Sequence, residues 1–462
     1  MIHQDTICAL ATAAGMGAIA VIRLSGPEAI AIADRFFVSV HQGKQLAKQK
    51  THTLHYGSLK EGDRLFDEVV VSLFRGPNSY TGEDVVELSC HGSVYIQNQI
   101  LQLLLRSGAR MANPGEFTFR AFMNGRMDLS QAEAVADVIA SDSEKSHQLA
   151  LNQMRGGFSQ EIAALRDQLI KFASLIELEL DFSTEDVEFA DRDQLDGLMN
   201  KLKSVLRRLC DSFAIGNVIK NGIPVAIAGE PNVGKSTLLN ALLNEERAIV
   251  SDIAGTTRDT IEDEMIIDGI RFRFIDTAGI RDTTDTIESL GIEKTYEKIN
   301  EAKVVLFLFD VRSADAKHMA VELEKLKTRL SHDQLLLVVA NKIDDLALDA
   351  LQSRFESLGE VLFISAKQKE NIQALRSKLL SFVNTGALSG NDTLVSNSRH
   401  YEALNKSLEA IVKVQDALAM GLSGDLLAMD IRLALDYLGE ITGEITTDDL
   451  LDSIFRDFCI GK

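Results

Sequence analysis

The chain has 462 residues, of which 45% are hydrophobic and 25% charged, and it carries a formal net charge of -20. That length exceeds one ordinary core, so roughly two to four domains are expected, and no apolar run approaches the ~20 residues of a membrane span. The acidic balance excludes a surface that coats nucleic acid indiscriminately, because like charge repels phosphate, and leaves room only for a local basic groove or a basic partner.

The first apolar stretch, ALATAAGMGAIAVIRLSG, has no cationic region before it and is interrupted by glycines, so it reads as buried strand and turn rather than a secretory signal. Strand-like runs EVVVSLF and DVVELSCHG follow, separated by the turn clusters EGD and GPNSYTGED. Near Met127 the period becomes helical. Leu129, Ala132, Val135 and Val138 form one set, Ile162, Leu165, Leu169, Phe172 and Ile176 a second, and Leu195, Leu198, Leu202, Val205, Leu209 and Phe213 a third. The acidic run from Glu177 to Asp193 reads as a solvated loop.

From Gly222 strands and helices alternate, and their nearly continuous apolar runs call for a parallel sheet covered on both faces. Asp268-Gly269 marks a tight hairpin that adds an antiparallel edge strand. Beyond the polar linker NTGALSGNDTLVSNS, helical spacing returns and ends with Leu450, Leu451, Ile454, Phe455 and Phe458. The expected fold is therefore multidomain, α/β and α. A mixed N-terminal domain covers 1–120, and a discontinuous helical bundle covers 121–217 and 385–462, interrupted by an inserted α/β domain at 218–384.

GEPNVGKS, Gly229 to Ser236, fits GxxxxGK[ST] between a strand and a helix, so its amides, Asn232, Val233, Gly234, Lys235, Ser236 and Thr237, are candidates to wrap phosphates. Lys235 reaches the outer phosphates and Ser236 offers a hydroxyl to Mg²⁺. In NKID, with Asn341, Lys342 and Asp344, the Asp344 carboxylate accepts from two guanine N–H groups that adenine lacks, which selects GTP. Ser365, Ala366 and Lys367 follow another strand as SAK. Asp276, Thr277, Ala278 and Gly279 form DTAG, in which Asp276 is expected to hold Mg²⁺ through water and the Gly279 amide to sense the γ-phosphate. Thr257, in DIAGTTRD, is the candidate for a second hydroxyl on the metal. The residue after Gly279 is Ile280, where regulatory GTPases carry a glutamine that orients water, and its side chain neither donates nor accepts.

GEPNVGKS, DIAGTTRD, DTAGIRD and the terminal CIGK together resemble the MnmE (TrmE) family of tRNA-modifying GTPases, over the whole chain. The resemblance implies a folate-binding N-terminal domain, a helical domain and a Ras-like P-loop GTPase domain in a homodimer, with an MnmG-like partner that brings FAD. It implies placement of an aminomethyl-type group on C5 of the wobble uridine of certain tRNAs. It also implies that paired GTPase domains trap K⁺ beside the phosphates, held by Asn232 with carbonyls of Ser251, Ile253 and Thr256, in a nucleotide site that also takes in Asp252, Ala254 and Gly255. Glu288 then orients the water, and the catalytic set is Glu288, Lys235 and Asn232. Arg23, Glu83, Arg126 and Lys462 bind a tetrahydrofolate derivative, with Cys459 beside it; Arg126 stands where the family more often has lysine, and the two differ as ligands.

The four cysteines, Cys8, Cys90, Cys210 and Cys459, follow no disulfide or zinc spacing, which points to a reducing cytoplasm. Gly15-x-Gly17-x-x-Ala20 imitates a dinucleotide fingerprint, but a strand rather than a helix follows it. The alternative to a modifying enzyme is an assembly or signalling GTPase switch that modifies nothing.

Overall fold

The computed structural model describes residues 5–181, 192–243, 262–275, 299–331, 334–383, 393–420, 422, 424–456 and 458–462. Among the described residues no helix is long and apolar enough to cross a membrane. The chain divides into two compact units. One contains the residues up to Ala140 with Ala150–Arg207 and Glu402–Lys462, and the other contains Ser141–Leu149 and Arg208–Tyr401.

In the first unit, alternation of buried and exposed residues makes strands with one face turned to a core. They are β1 (Ile7–Leu10), β2 (Ile19–Ser25), β3 (Phe37–Ser39), β4 (Thr53–Glu61), β5 (Arg64–Phe74), β6 (Val85–His91) and β7 (Arg110–Met111). The seven strands run in the order β3-β4-β5-β6-β2-β1-β7. Pairing is antiparallel except for β1 with β7, where Ile7 and Cys8 align with Arg110 and Met111. Ile22, Leu24, Val71, Leu73 and Leu88 meet helices α1 (Ala29–Phe36) and α2 (Val94–Arg106) in the core. Helix α3 (Glu116–Met123) follows, then α4 (Leu129–Ala140), α5 (Glu144–Met154), whose residues up to Leu149 belong to the second unit, α6 (Gly157–Asp181), and α7 (Arg192–Asn221), whose residues from Arg208 on belong to the second unit. The C-terminal helix Asp448–Arg456 buries Leu451 and Phe455 against Leu129 and Ala132 of α4, with Phe458 in the same cluster.

In the second unit, β8 (Ile223–Ala228), β9 (Glu262–Ile267), β10 (Ile270–Ile275), β11 (Val304–Asp310), β12 (Leu335–Asn341) and β13 (Val361–Phe363) form a six-stranded sheet in the order β13-β12-β11-β8-β10-β9. Only β9 runs antiparallel to its neighbour. Asp268 and Gly269 both take left-handed φ, 48° and 75°, as a two-residue hairpin needs. Six consecutive residues of β11 are buried, because helices cover both faces. The parallel order brings the carboxyl ends of β8, β11, β12 and β13 to one edge, where ligands of open α/β sheets bind.

Candidate functional site

Strand β8 leads into the glycine-rich loop, and helix α8 (Lys235–Leu243) starts at its lysine. The first-turn amides of α8 have no intrahelical acceptor, and the helix dipole adds positive potential, so Lys235, Ser236 and Thr237 surround a ready anion site. Val233 is buried and pins the loop to the core. Gly234 has φ 99°, and a Cβ there would lie 2.4 Å from Asn341 Nδ2. Among the described residues, a cavity of about 360 Å³ opens beside this loop, lined by Gly229, Glu230, Lys235, Phe309 and His318.

The end of β12 closes the other side. Asn341 is 2% exposed; its Nδ2 donates to Val233 O at 2.9 Å, and its Oδ1 accepts from Ala366 N at 3.0 Å. One amide thus ties NKID to both GKS and SAK. The Lys342 ammonium donates to Asn232 O at 2.8 Å and pairs with Asp310 Oδ2 at 2.7 Å. Asp344 accepts from the Ser365 hydroxyl on one carboxylate oxygen and from Arg312 Nη2 at 3.3 Å on the other. Lys367 is exposed just beyond them.

In the first unit, Gly461 O accepts from Arg23 Nη1 at 3.3 Å, and Arg23 pairs with Glu87 at 2.8 Å. The guanidinium lies over the Tyr80 and Phe117 rings, 5.4 and 5.6 Å from their centroids. A Cβ at Gly461 would sit 2.2 Å from Leu10 O, so only glycine lets the tail lie so close to β1. Burial, and then the Arg23 charge, push the Lys462 ammonium below its ordinary range, while Glu87 and Cys459 pull the other way. Tyr80 and Arg126 both line a second cavity of about 380 Å³. Glu83 accepts from Ser25 Oγ at 2.7 Å and from Arg120 Nη1 at 3.2 Å.

The family profile for the MnmE helical domain matches residues 129–459, and the profile for the GTP-binding protein TrmE N-terminus matches 6–126. Among solved structures, Era in complex with MgGDPNP and nucleotides of 16S ribosomal RNA overlaps 40% of this chain and 66% of its own, at 30% identity and a TM-score of 0.28. A Flavobacterium psychrophilum protein named tRNA modification GTPase MnmE is 61% identical over 466 residues, which is 100% of both chains. The chain belongs to the MnmE family. A Bacteroides fragilis MnmE is 55% identical over 468 residues, again 100% of both. As an MnmE family member the chain is a GTP hydrolase that acts in tRNA modification.

Of the expected MnmE nucleotide residues, the structure brings Asn232, Val233, Lys342, Asn341, Asp344, Ser365 and Ala366 into one hydrogen-bonded cluster, with Gly234 close against Asn341. Ser251, Asp252, Ile253, Ala254, Gly255, Thr256, Thr257, Asp276, Thr277, Ala278, Gly279, Ile280 and Glu288 lie outside the described residues. Sequence reasoning missed Asp310 and Arg312, and also a four-residue ion network behind Glu83, made of Asp5, Arg110, Glu116 and Arg120. In that network Arg120 donates to Asp5 Oδ1 at 2.7 Å and to Glu116 Oε1 at 3.0 Å, and Arg110 bonds the same two carboxylates. Hydrogen bonding from Arg110 holds the Asp5 carboxyl down at about 2. Burial pushes the Glu116 carboxyl up, and bonds from Arg110, the Asn113 amide and Arg120 more than offset it. The only available signal was Asp310 closing the VVLFLFD run at a strand end.

Burial pushes the thiols of Cys8, Cys90 and Cys210 up to about 11, whereas Cys459 is exposed.

Proposed function

We propose that this MnmE family member is a K⁺-activated, homodimeric GTPase of the cytoplasm. With an FAD-containing, MnmG-like partner it uses a tetrahydrofolate one-carbon unit to add an aminomethyl or carboxymethylaminomethyl group to C5 of the wobble uridine of certain tRNAs. The domains are those at 1–120, 121–217 with 385–462, and 218–384. The observation that carries the folate half is the contact of Gly461 O with Arg23. It brings Lys462, with its ammonium and terminal carboxylate, beside a cation that lies over two aromatic rings. A flat, hydrogen-bonding heterocycle suits such a lining. Arg23, Glu83, Arg126 and Lys462 would hold it, with Cys459 beside them.

In the nucleotide site, Ser236 and Thr257 would hold Mg²⁺, with Asp276 acting through water. K⁺ would sit on the Asn232 side chain and the carbonyls of Ser251, Ile253 and Thr256. Asn232 is the member of that set among the described residues. The Asn232 carbonyl accepts from the Lys342 ammonium and its backbone takes a left-handed φ of 63°; its side-chain oxygen is a neutral hard donor of the kind an alkali cation takes. When bound, the cation supplies positive charge against the developing negative charge of phosphoryl transfer. Lys235 supports the phosphates, and Glu288 orients the attacking water in place of the side chain that Ile280 lacks.

Two measurements test the proposal. GTP turnover at matched ionic strength is expected to be fast in K⁺ and slow in Na⁺, and Asn232→Ala to remove the difference; equal rates in both salts would end the K⁺ reading. Calorimetric titration with 5-formyltetrahydrofolate is expected to give saturable heat that disappears when Lys462 is deleted. No saturable heat from the intact protein would leave an assembly or signalling switch as the better account.

A further inference from the structure

We propose that Arg312 is a positioning residue of the guanine subsite, fixing the Asp344 carboxylate in the orientation that meets both donors of the base. The proposal rests on the reading of Asp344 as the guanine-recognising carboxylate. Arg312 lies two residues past the end of β11, where Asp310 organises the turn. One Asp310 carboxylate oxygen accepts from the Arg312 amide at 2.9 Å, and the other pairs with Lys342 at 2.7 Å.

From that anchor the guanidinium reaches across to NKID and spans three acceptors. Its Nε donates to Lys342 O at 3.3 Å, and its Nη2 to Asp344 O at 3.2 Å and Asp344 Oδ2 at 3.3 Å. Lys342 has a left-handed φ of 68°, which needs external support in a residue with a side chain. Ser365 takes the other Asp344 oxygen. Each carboxylate oxygen therefore carries one protein donor and keeps a second lone pair for the ligand.

Guanine presents N1–H and an exocyclic N2–H side by side, and each needs one of those lone pairs. With Ser365 alone, the carboxylate is tied at one oxygen and free to turn about it. With Arg312 as well, both oxygens are fixed. Asp344 is only 12% exposed, whereas Arg312 is 53% exposed and approaches from outside. Removing Arg312 therefore loosens the carboxylate without opening the core.

The test compares GTP with ITP, which lacks the exocyclic amine, by competition against a fluorescent GDP on the full-length protein. Losing one charge-assisted constraint is expected to shrink the preference for GTP over ITP by about fivefold to tenfold in Arg312→Ala. The effect falls on KM rather than kcat, and Arg312→Lys, which cannot span three acceptors, recovers less than half. A general loosening of the site would weaken both nucleotides equally, so an unchanged GTP-to-ITP ratio overturns the proposal. Asp344→Asn separates the two layers. If that variant keeps its GTP preference, the guanine reading itself is wrong. If it loses GTP and gains xanthosine triphosphate while Arg312→Ala keeps the ratio, only the role of Arg312 falls.

Discussion

Asn341 Nδ2 donates to the carbonyl of Val233 at 2.9 Å, although 108 residues separate them. This bond joins the GKS loop to NKID through a side chain that is nearly inaccessible to water. Asn341→Ala would leave Val233 O without its donor and Ala366 N without its acceptor. The expected cost is about 1 to 3 kcal/mol for such buried groups, read as a lower denaturation midpoint together with weaker GTP binding. A variant as stable as the parent would mean that water replaces both bonds.

Gly234→Ala tests the same junction from the other side. The substituent would enter the space of Asn341 Nδ2 from a backbone with φ 99°. GTP affinity is expected to fall by at least about tenfold, the equivalent of roughly 1.4 kcal/mol, while 5-formyltetrahydrofolate binding is retained. Equal loss of both ligands would show that the substitution disrupts more than the loop.

Asp5 gives a pH dependence of known sign. Its carboxyl titrates at about 2 when folded, against an ordinary 3.8. The unfolded chain therefore binds more protons in that window, so the contribution of Asp5 is complete above the ordinary value and fades as pH falls toward 2. Asp5→Asn should lower stability near neutral pH and show a shallower further loss in this acid window. Parallel acid limbs for parent and variant would contradict the assignment.

Phe458 packs on Phe455 with centroids 5.1 Å apart, and Phe455 meets Phe119 edge-on at 5.4 Å. Phe458→Ala is expected to cost up to about 3 kcal/mol locally and to detach the following residues from Arg23. Folate titration should weaken by more than about tenfold, the equivalent of roughly 1.4 kcal/mol, with GTP turnover unchanged. A folate affinity equal to the parent's would show that the tail needs no aromatic anchor.

The candidate nucleotide-site residues legible in the sequence are those whose chemistry is local. GEPNVGKS, NKID and SAK each sit at a strand end, and a parallel sheet must gather its strand ends at one edge. The Asp268-Gly269 hairpin was equally readable, since few other pairs tolerate two left-handed residues. Arg312 was not readable, because a single arginine after DV looks like any solvated charge until β11 and β12 are aligned with Asp310 opposite Asn341. The network of Asp5, Arg110, Glu116, Arg120 and Glu83 was hidden for the same reason, since its members meet only after β7 pairs beside β1. In the first unit β2, β5 and β6 were legible as apolar runs, whereas β3, β4 and β7 and the strand order were not, since short or mixed-polarity strands carry little periodicity and turn signals do not say which non-adjacent strands pair.

The contrast among the cysteines has a practical use. A thiol reacts as its thiolate, so side chains that are buried and titrate near 11 remain almost inert at neutral pH. Cys459 is the one exposed to solvent. A maleimide dye offered to the unaltered protein should attach there alone, next to the tail that reaches Arg23, and report on it by fluorescence without any engineered handle.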